Sequence, residues 1–338
     1  MTSDKILLGH GSGGKLSHDL IKDIFVKHFN NPLLNSCTDS ALLDIDSKNL
    51  AFTTDSYVVD PVFFPGGNIG HLAVCGTVND LAVSGATPLY LTSSFIIEEG
   101  FPVKDLEQVV MSMAKEAEKA GVKIVAGDTK VVDRGKCDKV FINTSGIGIL
   151  EKGRINISYG SDIKAGDKIL INGFIGDHGI AVMCARNELQ FSSDIKSDCA
   201  CLNGLISGVL EETDNVRFMR DATRGGVVTV LCELAETNDI GIELDEDNIP
   251  VRENVRGMCE VLGYDPLYVA NEGKVVMVVP ADEADMTLKK MRQDDLGRDS
   301  AIIGQVVDEY KGKVFMNTGI GGRRIVDMLA GEQLPRIC

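Results

Sequence analysis

The chain lacks the features that mark membrane, secreted and zinc-binding proteins. Its 338 residues contain no apolar run near the roughly 20 residues needed to span a bilayer. Its first residues, MTSDK, show no basic region followed by an apolar stretch, so we expect no signal peptide. The nine cysteines include no Cys-x-x-Cys pair, and the nearest two, Cys199 and Cys201, indicate neither a disulfide framework nor a zinc site. These absences predict a cytoplasmic protein whose cysteines are mostly small core residues.

Aromatic residues are also scarce, at 5%, whereas the 36 glycines permit close approach of the backbone to a ligand or another element. Hydrophobic residues make up 44% and charged residues 25%, as in soluble globular proteins, and the length is typical of roughly two domains. The net charge of −16 disfavours nucleic acids and anionic membranes as partners. An anionic ligand such as ATP would need metal ions and local donors to bind against that charge.

The hydrophobic pattern predicts strands and helices in both halves. In the first half we expect strands at 51–59, 89–97, 122–126 and 139–150 and helices at 68–86 and 104–120. In the second half we expect strands at 168–172, 241–244, 274–279 and 301–307 and helices at 179–186, 199–212, 227–237, 252–262 and 281–293. Such mixing predicts two α+β domains, not one doubly wound sheet. Turn formers at 151–166 place the boundary, giving domains at 1–155 and 156–330 and a tail at 331–338.

The N-terminal segment nearly matches a phosphate-binding P-loop. Gly9-x-x-x-x-Gly14-Lys15 has the required spacing, but Leu16 stands where the motif needs the Ser or Thr that holds Mg²⁺. A Walker-type site is therefore disfavoured. Two interpretations stay open, a glycine loop whose amides cover phosphates and a flexible terminal turn.

Two aspartates, Asp55 and Asp80, lie in predicted elements that are otherwise largely apolar. Asp55 closes the apolar strand that contains Thr53 and Thr54. Asp80 lies in a predicted helix, and the segment 69–86 contains no Lys or Arg. A carboxylate there either faces solvent or needs an external partner, which a divalent cation bridging phosphate oxygens would supply.

Four further polar motifs stand at the predicted ends of elements. They are Gly127-Asp128-Thr129-Lys130 after a strand, Gly176-Asp177-His178-Gly179 and 220–226 (RDATRGG) before helices, and Asn271-Glu272-Gly273 before a strand. Each one alone could be a helix cap or a solvated turn. Their recurrence indicates anion and metal binding, and a partly desolvated Glu272 could act as a general base.

The sequence ends in Pro335-Arg336-Ile337-Cys338. One interpretation is a frayed tail whose last residue happens to be cysteine. The other is a mobile thiol that carries a covalent group into an active site.

Together these motifs resemble the HypE family of hydrogenase maturation proteins, in the aminoimidazole-ribonucleotide synthetase (PurM-like) superfamily. The resemblance covers the whole chain, and the final four residues are its most specific part. It rests on 10–15, 53–55, 65–70, 76–86, 127–130, 176–179, 220–226, 271–273 and 335–338. One departure is Asn68, where some relatives carry Asp, and this puts metal coordination from position 68 in doubt.

The resemblance implies a two-domain PurM-like α+β fold whose N-terminal domains pair into a β-barrel across a homodimer. It implies ATP and Mg²⁺ in an acidic cleft. It further implies that the carbamoyltransferase HypF transfers a carbamoyl group to Cys338. ATP would then drive dehydration of this S-carboxamide to a thiocyanate. The cyanide would finally pass to iron on a HypC–HypD scaffold, for the NiFe-hydrogenase centre.

This chemistry needs metal ligands, phosphate-binding groups, a base and the terminal thiol. We expect Asp55, Asp80 and Asp221 to bind the metal ions. We expect Cys338 to carry the substrate, Glu272 to take the amide proton, with His10 as second candidate, and Lys130 to stabilise the transferring phosphate. The expected ATP-binding residues are Gly11, Gly13, Gly14, Lys15, Thr54, Asn79, Gly127, Asp128 and Thr129.

Two other functions remain open on the sequence. A related ATP enzyme acting on a free small molecule would share the acidic motifs and would not need Cys338. A binding scaffold with a degenerate ATP site is a third reading, against which the intact Asp55, Asp80, Asp128 and Glu272 argue.

Overall fold

The computed structural model describes residues 4–11, 15–35, 41, 43–47, 49–186 and 194–328. The predicted site residues Gly13, Gly14 and Cys338 lie outside these ranges, and the backbone of Lys15 begins the first helix. Within the described ranges, no helix combines the length and the apolar character that a bilayer crossing requires.

The first half of the chain forms a four-stranded sheet covered by helices. Its helices are α1 (Lys15–Leu20), α2 (Lys27–Phe29), α3 (Pro32–Asn35), α4 (Ile69–Val83) and α5 (Val103–Ala120), with a π-helical stretch at Ile21–Val26. Its strands are β1 (Leu50–Tyr57), β2 (Phe63–Phe64), β3 (Gly67–Asn68), β4 (Ala86–Glu98), β5 (Lys123–Val132) and β6 (Val140–Leu150). The sheet order is β1-β6-β4-β5, with β4 and β5 parallel and the other pairs antiparallel.

The second half forms a seven-stranded sheet of order β13-β12-β9-β11-β7-β10-β8. Its strands are β7 (Lys168–Ile171), β8 (Phe218–Asp221), β9 (Gly241–Asp245), β10 (Val275–Val279), β11 (Ala301–Val307), β12 (Lys313–Asn317) and β13 (Arg323–Val326). Its helices are α6 (Asp177–Ala185), α7 (Asn203–Glu212), α8 (Gly226–Asn238), α9 (Glu253–Leu262) and α10 (Ala284–Met291). The mixed α+β architecture of both halves agrees with the expected fold class, whereas the barrel across a homodimer stays a prediction.

Helix α4 is the element that joins the two halves. All of its 15 residues except His71 and Asp80 are buried. A helix that is apolar all round is covered on every side. Here one side packs on the first sheet and on α5, and the other meets α7 and β8 of the second half. Side chains projecting from α4 therefore reach groups of both halves.

Three predictions about elements are wrong in detail. Strand β5 runs to Val132, so Gly127–Lys130 lie within it and not after it. The helix predicted at 199–212 begins only at Asn203, whereas the motif 220–226 precedes helix α8 as predicted, with Arg220 and Asp221 ending strand β8. Strands β12 and β13 were not predicted, because they are short and carry alternating polar residues.

Candidate functional site

Four carboxylates from four separate elements face one another between the two halves. Asp55 comes from β1, Asp80 from α4, Asp221 from the end of β8, and Glu272 from the loop before β10. We call these four residues the carboxylate cluster. Thr53, Asp80 and Asp221 line a cavity of about 690 Å³ that opens beside the cluster.

The electrostatics of the carboxylate cluster favour a bound cation. Burial, and then the neighbouring charges of Asp80 and Asp55, raise the pKa of Asp221 to about 7. Burial, followed by Asp198, Asp221 and Asp55, raises the pKa of Glu272 well above its usual value. Like charges at close range disfavour joint ionisation, so a positive ion would relieve this repulsion.

Asp80 is held by a neighbour that the sequence did not single out. The hydroxyl of Thr53 donates a hydrogen bond of 2.7 Å to Asp80 Oδ2. Burial raises the pKa of Asp80, this hydrogen bond lowers it, and the charge of Asp55 raises it. Alternate residues of β1 face α4, which places Thr53 and Asp55 on the carboxylate side of the sheet. Thr54 faces the other way and donates to the carbonyl of Thr144.

The loop that carries Glu272 is fixed by its two neighbours. The side chain of Asn271 accepts a hydrogen bond of 2.8 Å from Gly176 N–H and donates one of 2.8 Å to the carbonyl of Ala222. Gly273 has no room for a side chain, because an added Cβ would lie 2.0 Å from the carbonyl oxygen of Asp198. Glu272 itself is 4% exposed, and its buried Oε1 has no hydrogen-bond partner among the described residues. The Asn-Glu-Gly motif therefore presents one desolvated carboxyl group on a fixed loop.

Asp198, which the sequence did not single out, holds the Glu272 loop through hydrogen bonds to its backbone. Its carboxylate accepts hydrogen bonds from the backbone N–H groups of Glu272, at 3.1 Å, and Gly273, at 3.3 Å. It also forms an ion pair of 2.9 Å with Lys274. Burial alone would raise the pKa of Asp198, yet Lys274 and His178 bring it below its usual value. Asp198 therefore stays ionised and positions Glu272.

Asn79 is engaged between the two halves. Its amide nitrogen donates to the carbonyls of Ala200, at 3.0 Å, and Glu272, at 3.3 Å, and its Oδ1 accepts from Leu202 N–H at 2.7 Å. The side chain is 1% exposed. This geometry makes Asn79 a residue that positions the Glu272 backbone, and its predicted contact with ATP stays a prediction.

Asn68 caps helix α4. Its Oδ1 accepts from the N–H groups of Gly70 and His71, at 2.9 and 3.1 Å, and its Nδ2 donates to Ser112 Oγ at 2.7 Å. A side-chain acceptor at this position satisfies helix N–H groups that otherwise have no intrahelical partner. The residue that the sequence analysis set aside as a doubtful metal ligand is thus occupied as a helix cap.

A second group of predicted residues lines a separate cavity of about 400 Å³. It contains His10, Gly11 and the four residues of β5 from Gly127 to Lys130. His10 is 3% exposed, and its Nδ1 accepts a hydrogen bond of 2.9 Å from Leu7 N–H. A neutral imidazole that accepts at Nδ1 carries its proton on Nε2, so the free edge of His10 is a donor and not a base. We call this set the His10 group.

The sheet register separates the His10 group from the carboxylate cluster. Asp55 pairs with Thr144, Thr144 with Ser93, and Ser93 with Gly127. Three strand spacings put the Cα atoms of Asp55 and Gly127 about 14 Å apart. Within one chain, the predicted site residues that the structure describes therefore form two groups and not one, and Thr54, on the opposite face of the sheet, belongs to neither.

The donor set of the carboxylate cluster fits Mg²⁺. Hard divalent cations bind carboxylate and carbonyl oxygens, and they relieve the repulsion that raises the pKa values of Asp221 and Glu272. The buried Oε1 of Glu272 without a partner is a further acceptor beside them. An acidic cleft between two α+β halves whose donor set fits Mg²⁺ is typical of the class of enzymes that use metal-bound nucleotides.

Comparisons with known proteins agree with this class. The family model "AIR synthase related protein, N-terminal domain" matches residues 37–150, and the model of the C-terminal domain matches residues 164–317. The chain therefore belongs to the AIR synthase-related family.

Within it, the chain is a member of the HypE family. It is 49% identical over 341 residues to "Carbamoyl dehydratase HypE" of Rhodobacter capsulatus, covering 100% of this chain and 99% of the relative. It is similar to the crystal structure of hydrogenase maturation protein HypE in complex with ATP, at a TM-score of 0.93 and 48% identity, covering 98% of this chain and 99% of that one. It is also similar to a HypE chain in a HypE–HypF complex, at a TM-score of 0.80 and 52% identity, with 92% and 99% of the two chains covered.

Proposed function

We propose that this chain catalyses the ATP-dependent dehydration of an S-carboxamide on its own Cys338 to an S-thiocyanate, which supplies the cyanide ligand of the NiFe-hydrogenase iron. The observation that carries the proposal is the carboxylate cluster, four acidic groups around a cleft between the halves, in which the pKa values of Asp80, Asp221 and Glu272 are raised. The terminal cysteine supplies the thiol that the reaction modifies.

The reaction has two balanced steps. In the first, the carboxamide oxygen attacks the γ-phosphorus of ATP, the bond from this phosphorus to the bridging oxygen breaks, ADP leaves and one amide proton is lost. In the second, the C–O bond of the phosphorylated intermediate breaks, phosphate leaves with that oxygen, and the remaining N–H proton departs as the C≡N triple bond forms. Phosphorylation is needed because an unmodified amide oxygen is a poor leaving group.

Asp55, Asp80 and Asp221 are the proposed Mg²⁺ ligands. When bound there, Mg²⁺ supplies neutralisation of the phosphate charge beside an otherwise acidic cleft. The Thr53 hydroxyl keeps one Asp80 oxygen oriented, and the remaining oxygens are available to the ion.

Glu272 is the proposed base for the amide protons. A buried carboxylate whose pKa is raised is a stronger base than an ordinary glutamate. The backbone hydrogen bonds to Asp198 and Asn79 fix its loop, so the carboxyl group can be held at one position relative to the substrate nitrogen.

The His10 group is the proposed holder of phosphate oxygens. His10 offers Nε2–H as a donor, Lys130 is exposed on β5, and Gly11, Gly127, Asp128 and Thr129 lie beside them. We assign Gly13, Gly14, Lys15 and Thr54 to the same nucleotide-binding role on the sequence resemblance. His10 acts here as a hydrogen-bond donor, because its acceptor nitrogen is already occupied by Leu7.

A homodimer that closes a β-barrel is the proposed assembly. One face of the four-stranded sheet packs on α4, whereas the opposite face leaves Phe52 70% and Ile96 44% exposed. Exposed apolar residues on an open sheet face mark an interface. Pairing of two copies through the N-terminal domain, residues 1–155, would cover them.

HypF is the proposed carbamoyl donor, because a HypE relative at 52% identity forms a complex with HypF. A HypC–HypD complex is the proposed acceptor of the cyanide. The tail at 331–338 would carry Cys338 between the cleft and these partners.

The test uses the full chain, ATP, Mg²⁺ and a HypF-dependent carbamoylating system, followed by intact mass and peptide mapping. We expect the terminal peptide to gain a carbamoyl group and then lose water, and Cys338→Ala to show neither change. Cys137→Ala is the matched control, since Cys137 lies on the loop between β5 and β6.

Two results would contradict the proposal. One is carbamoylation of Cys338→Ala elsewhere on the chain. The other is unchanged turnover of a free small molecule after deletion of residues 331–338, which would support the related ATP enzyme instead.

A further inference from the structure

A group of sulfur ligands lies at the other end of α4 from Asp80. The side chains of His71, Cys75 and Cys199 bring their ligand atoms within 4.8 Å of one another, and so do those of Cys75, Glu116 and Cys201. The Sγ atoms of Cys75 and Cys201 are 3.3 Å apart. We call these five residues the thiol cluster. It plays no part in the proposed dehydration.

The sequence hid this group because its members come from three distant segments. His71 and Cys75 are four residues apart on α4, which places them on one face of the helix. Glu116 projects from α5, and Cys199 and Cys201 lie in the segment before α7. The Cys199-x-Cys201 spacing carries no metal signature of its own, and only the fold brings Cys75 between the two.

The three thiols have an unusual environment for cysteine. Cys75 is fully buried and Cys199 is 7% exposed. Burial raises the pKa of Cys75, and it raises the pKa of Cys199 to about 11. The contact with Cys75, followed by burial, raises the pKa of Cys201. Without a cation, all three are therefore neutral thiols, with Cys75 in contact with both Cys199 and Cys201.

His71 is suited to coordinate a metal. Burial lowers the pKa of His71, so its imidazole is neutral near pH 7, which is the form that binds metals. The ring also makes a hydrogen bond to the backbone of Gly66, and ligating histidines are typically oriented in this way. Its Nε2 lies 3.6 Å from Glu116 Oε2.

Glu116 already has a charged partner. Its Oε1 forms an ion pair of 2.7 Å with Lys119. Its carboxylate therefore lies beside the imidazole Nε2 and next to Cys75 and Cys201, with one oxygen already paired to Lys119, so the sulfur atoms and the imidazole nitrogen are the preferred ligands. Three sulfurs and one nitrogen are a donor set typical of structural zinc sites.

We propose that Cys75, Cys199, Cys201 and His71 form a closed Zn²⁺ site that joins α4 to the segment preceding α7. Zinc–sulfur bonds of about 2.3 Å place sulfurs about 3.8 Å apart in a tetrahedron, so on binding the 3.3 Å Cys75–Cys201 pair opens slightly and Cys201 moves toward Cys199 and His71, with which it shares no group within 4.8 Å. The ion displaces the three thiol protons to solvent and forms three Zn–S bonds and one Zn–N bond. A disulfide between Cys75 and Cys201 is the weaker reading, because it leaves Cys199 and His71 without a role.

A zinc ion at this site would stabilise the segment 198–202, which contacts Asn79 and the loop that carries Glu272. Ala200 lies between the two cysteines of this segment, and its carbonyl accepts a hydrogen bond from the side-chain amide of Asn79. The N–H of Leu202 donates to the Oδ1 of the same side chain. Asp198, which holds the Glu272 loop, directly precedes Cys199. A zinc ion would therefore fix the segment that positions both Asn79 and Asp198.

The test measures the metal content of the full chain after purification in metal-free buffers with a thiol reductant. We expect about one zinc per wild-type chain. Cys75→Ser and Cys201→Ser should weaken zinc binding more than about 100-fold, since loss of an outer partner alone costs 10- to 100-fold. Glu116→Gln should fall in that smaller range. Cys137→Ser and Cys338→Ser are the controls and should keep the full stoichiometry.

Cobalt substitution of the wild-type chain gives a readout that does not depend on how well the variants fold. Titration with Co²⁺ should produce thiolate charge-transfer absorption and tetrahedral d–d bands, and Zn²⁺ should remove them. The proposal is overturned if wild type binds no Zn²⁺ or Co²⁺ more tightly than a Cys75→Ser/Cys201→Ser double variant. It is overturned equally if peptide mapping finds a Cys75–Cys201 disulfide in metal-free protein prepared without reductant and zinc does not bind after its reduction.

Discussion

The carboxylate cluster and the thiol cluster both include residues of helix α4. They are assembled in the same way but offer different donor atoms, oxygen in one and sulfur in the other. Each combines residues of α4 with residues of the second half, so each depends on how the two halves pack. One offers oxygen atoms beside a cavity of about 690 Å³, and the other offers the sulfur atoms of two buried cysteines, Cys75 and Cys199, and of the partly buried Cys201. The cleft with oxygen donors suits a metal that must meet a substrate, whereas the closed set with sulfur donors suits a structural ion.

The difference also appears in how burial acts on each cluster. Burial and mutual repulsion raise the pKa of Asp221 to about 7, so a small change in charge alters its protonation near neutral pH. Burial raises the pKa of Cys199 to about 11, so that thiol ionises near neutral pH only when a metal takes the place of its proton. A carboxyl group that titrates near neutral pH suits a catalytic site, whereas a thiol that ionises only on metal binding suits a permanently bound ion.

The largest expected effect is on stability, at the segment that both clusters share. Asp198→Asn removes the partner of Lys274, and the two side chains are only 4% and 10% exposed. An unpaired buried charge costs about 3–5 kcal/mol, measured as the loss in free energy of unfolding in denaturant titrations. The exposed Asp239–Lys311 pair is the control, and Asp239→Asn should cost about 0–1 kcal/mol. Equal losses at the two sites would show that Asp198 does not hold the core of the site.

A change in Asp80 should separate the two clusters by activity. Asp80→Asn keeps the acceptor for Thr53 but removes a charge from the carboxylate cluster, so dehydration should slow on the order of 10²- to 10³-fold. Zinc content should stay at its wild-type value. Asp133→Asn, at an exposed position, is the matched control. Wild-type turnover by Asp80→Asn at limiting Mg²⁺ would contradict the assignment.

The pH dependence of stability should report Asp221. Its pKa is raised from 3.8 to about 7 on folding, so between these values the folded chain holds a proton that the unfolded chain has lost. Metal-free protein should therefore lose stability as pH rises from about 4 to about 7, by at most about 1.4 kcal/mol per pH unit, with no further loss from this group above.

Denaturant titrations at several pH values would measure this slope. Mg²⁺ should reduce it, and Asp221→Asn should remove the part due to this residue. If the free energy of unfolding depends on pH equally in wild type and Asp221→Asn, the pH dependence arises from groups other than Asp221.

The smallest expected effect distinguishes two adjacent threonines. Thr53→Val removes the 2.7 Å hydrogen bond to Asp80 and should weaken Mg²⁺ binding by about 1 kcal/mol, or roughly fivefold, in a calorimetric titration. Thr54→Val changes the opposite face of the sheet and, although Thr54 is assigned to nucleotide binding, should leave the affinity for Mg²⁺ without nucleotide unchanged. A larger loss in Thr54→Val would place the metal on the other face.

Local signals in the sequence were sufficient for much of the fold and for the acidic residues. The periodic helix at 104–120 is found at Val103–Ala120, with Gly121 in the left-handed conformation at φ 72°. Asp80 was recognisable because it lies in an apolar helix without nearby cations. The motif around Glu272 stood out because an asparagine and a glycine flank a glutamate before an apolar strand.

What could not be predicted depends on contacts between distant segments. Cys75 meets Cys201 across 126 residues, and Asn79 meets Ala200 across 121, so no local period reports them. The extent of β5 was underestimated because Gly127 and Asp128 resemble a turn. As an edge strand, β5 pairs only with β4 among the described strands and accommodates such residues on its exposed side.

The most direct test of the account is a single turnover by Glu272→Gln carrying a carbamoyl group on Cys338. Glutamine preserves the size of the side chain and the backbone hydrogen bonds of the loop. Glu233→Gln is the control, because Glu233 lines the cavity beside the carboxylate cluster but does not belong to the cluster. After addition of ATP and Mg²⁺, intact mass should show that wild type and the control lose water from the terminal peptide, whereas Glu272→Gln keeps its carbamoyl group. Dehydration by Glu272→Gln at the wild-type rate would contradict the central claim that the carboxylate cluster carries out this chemistry.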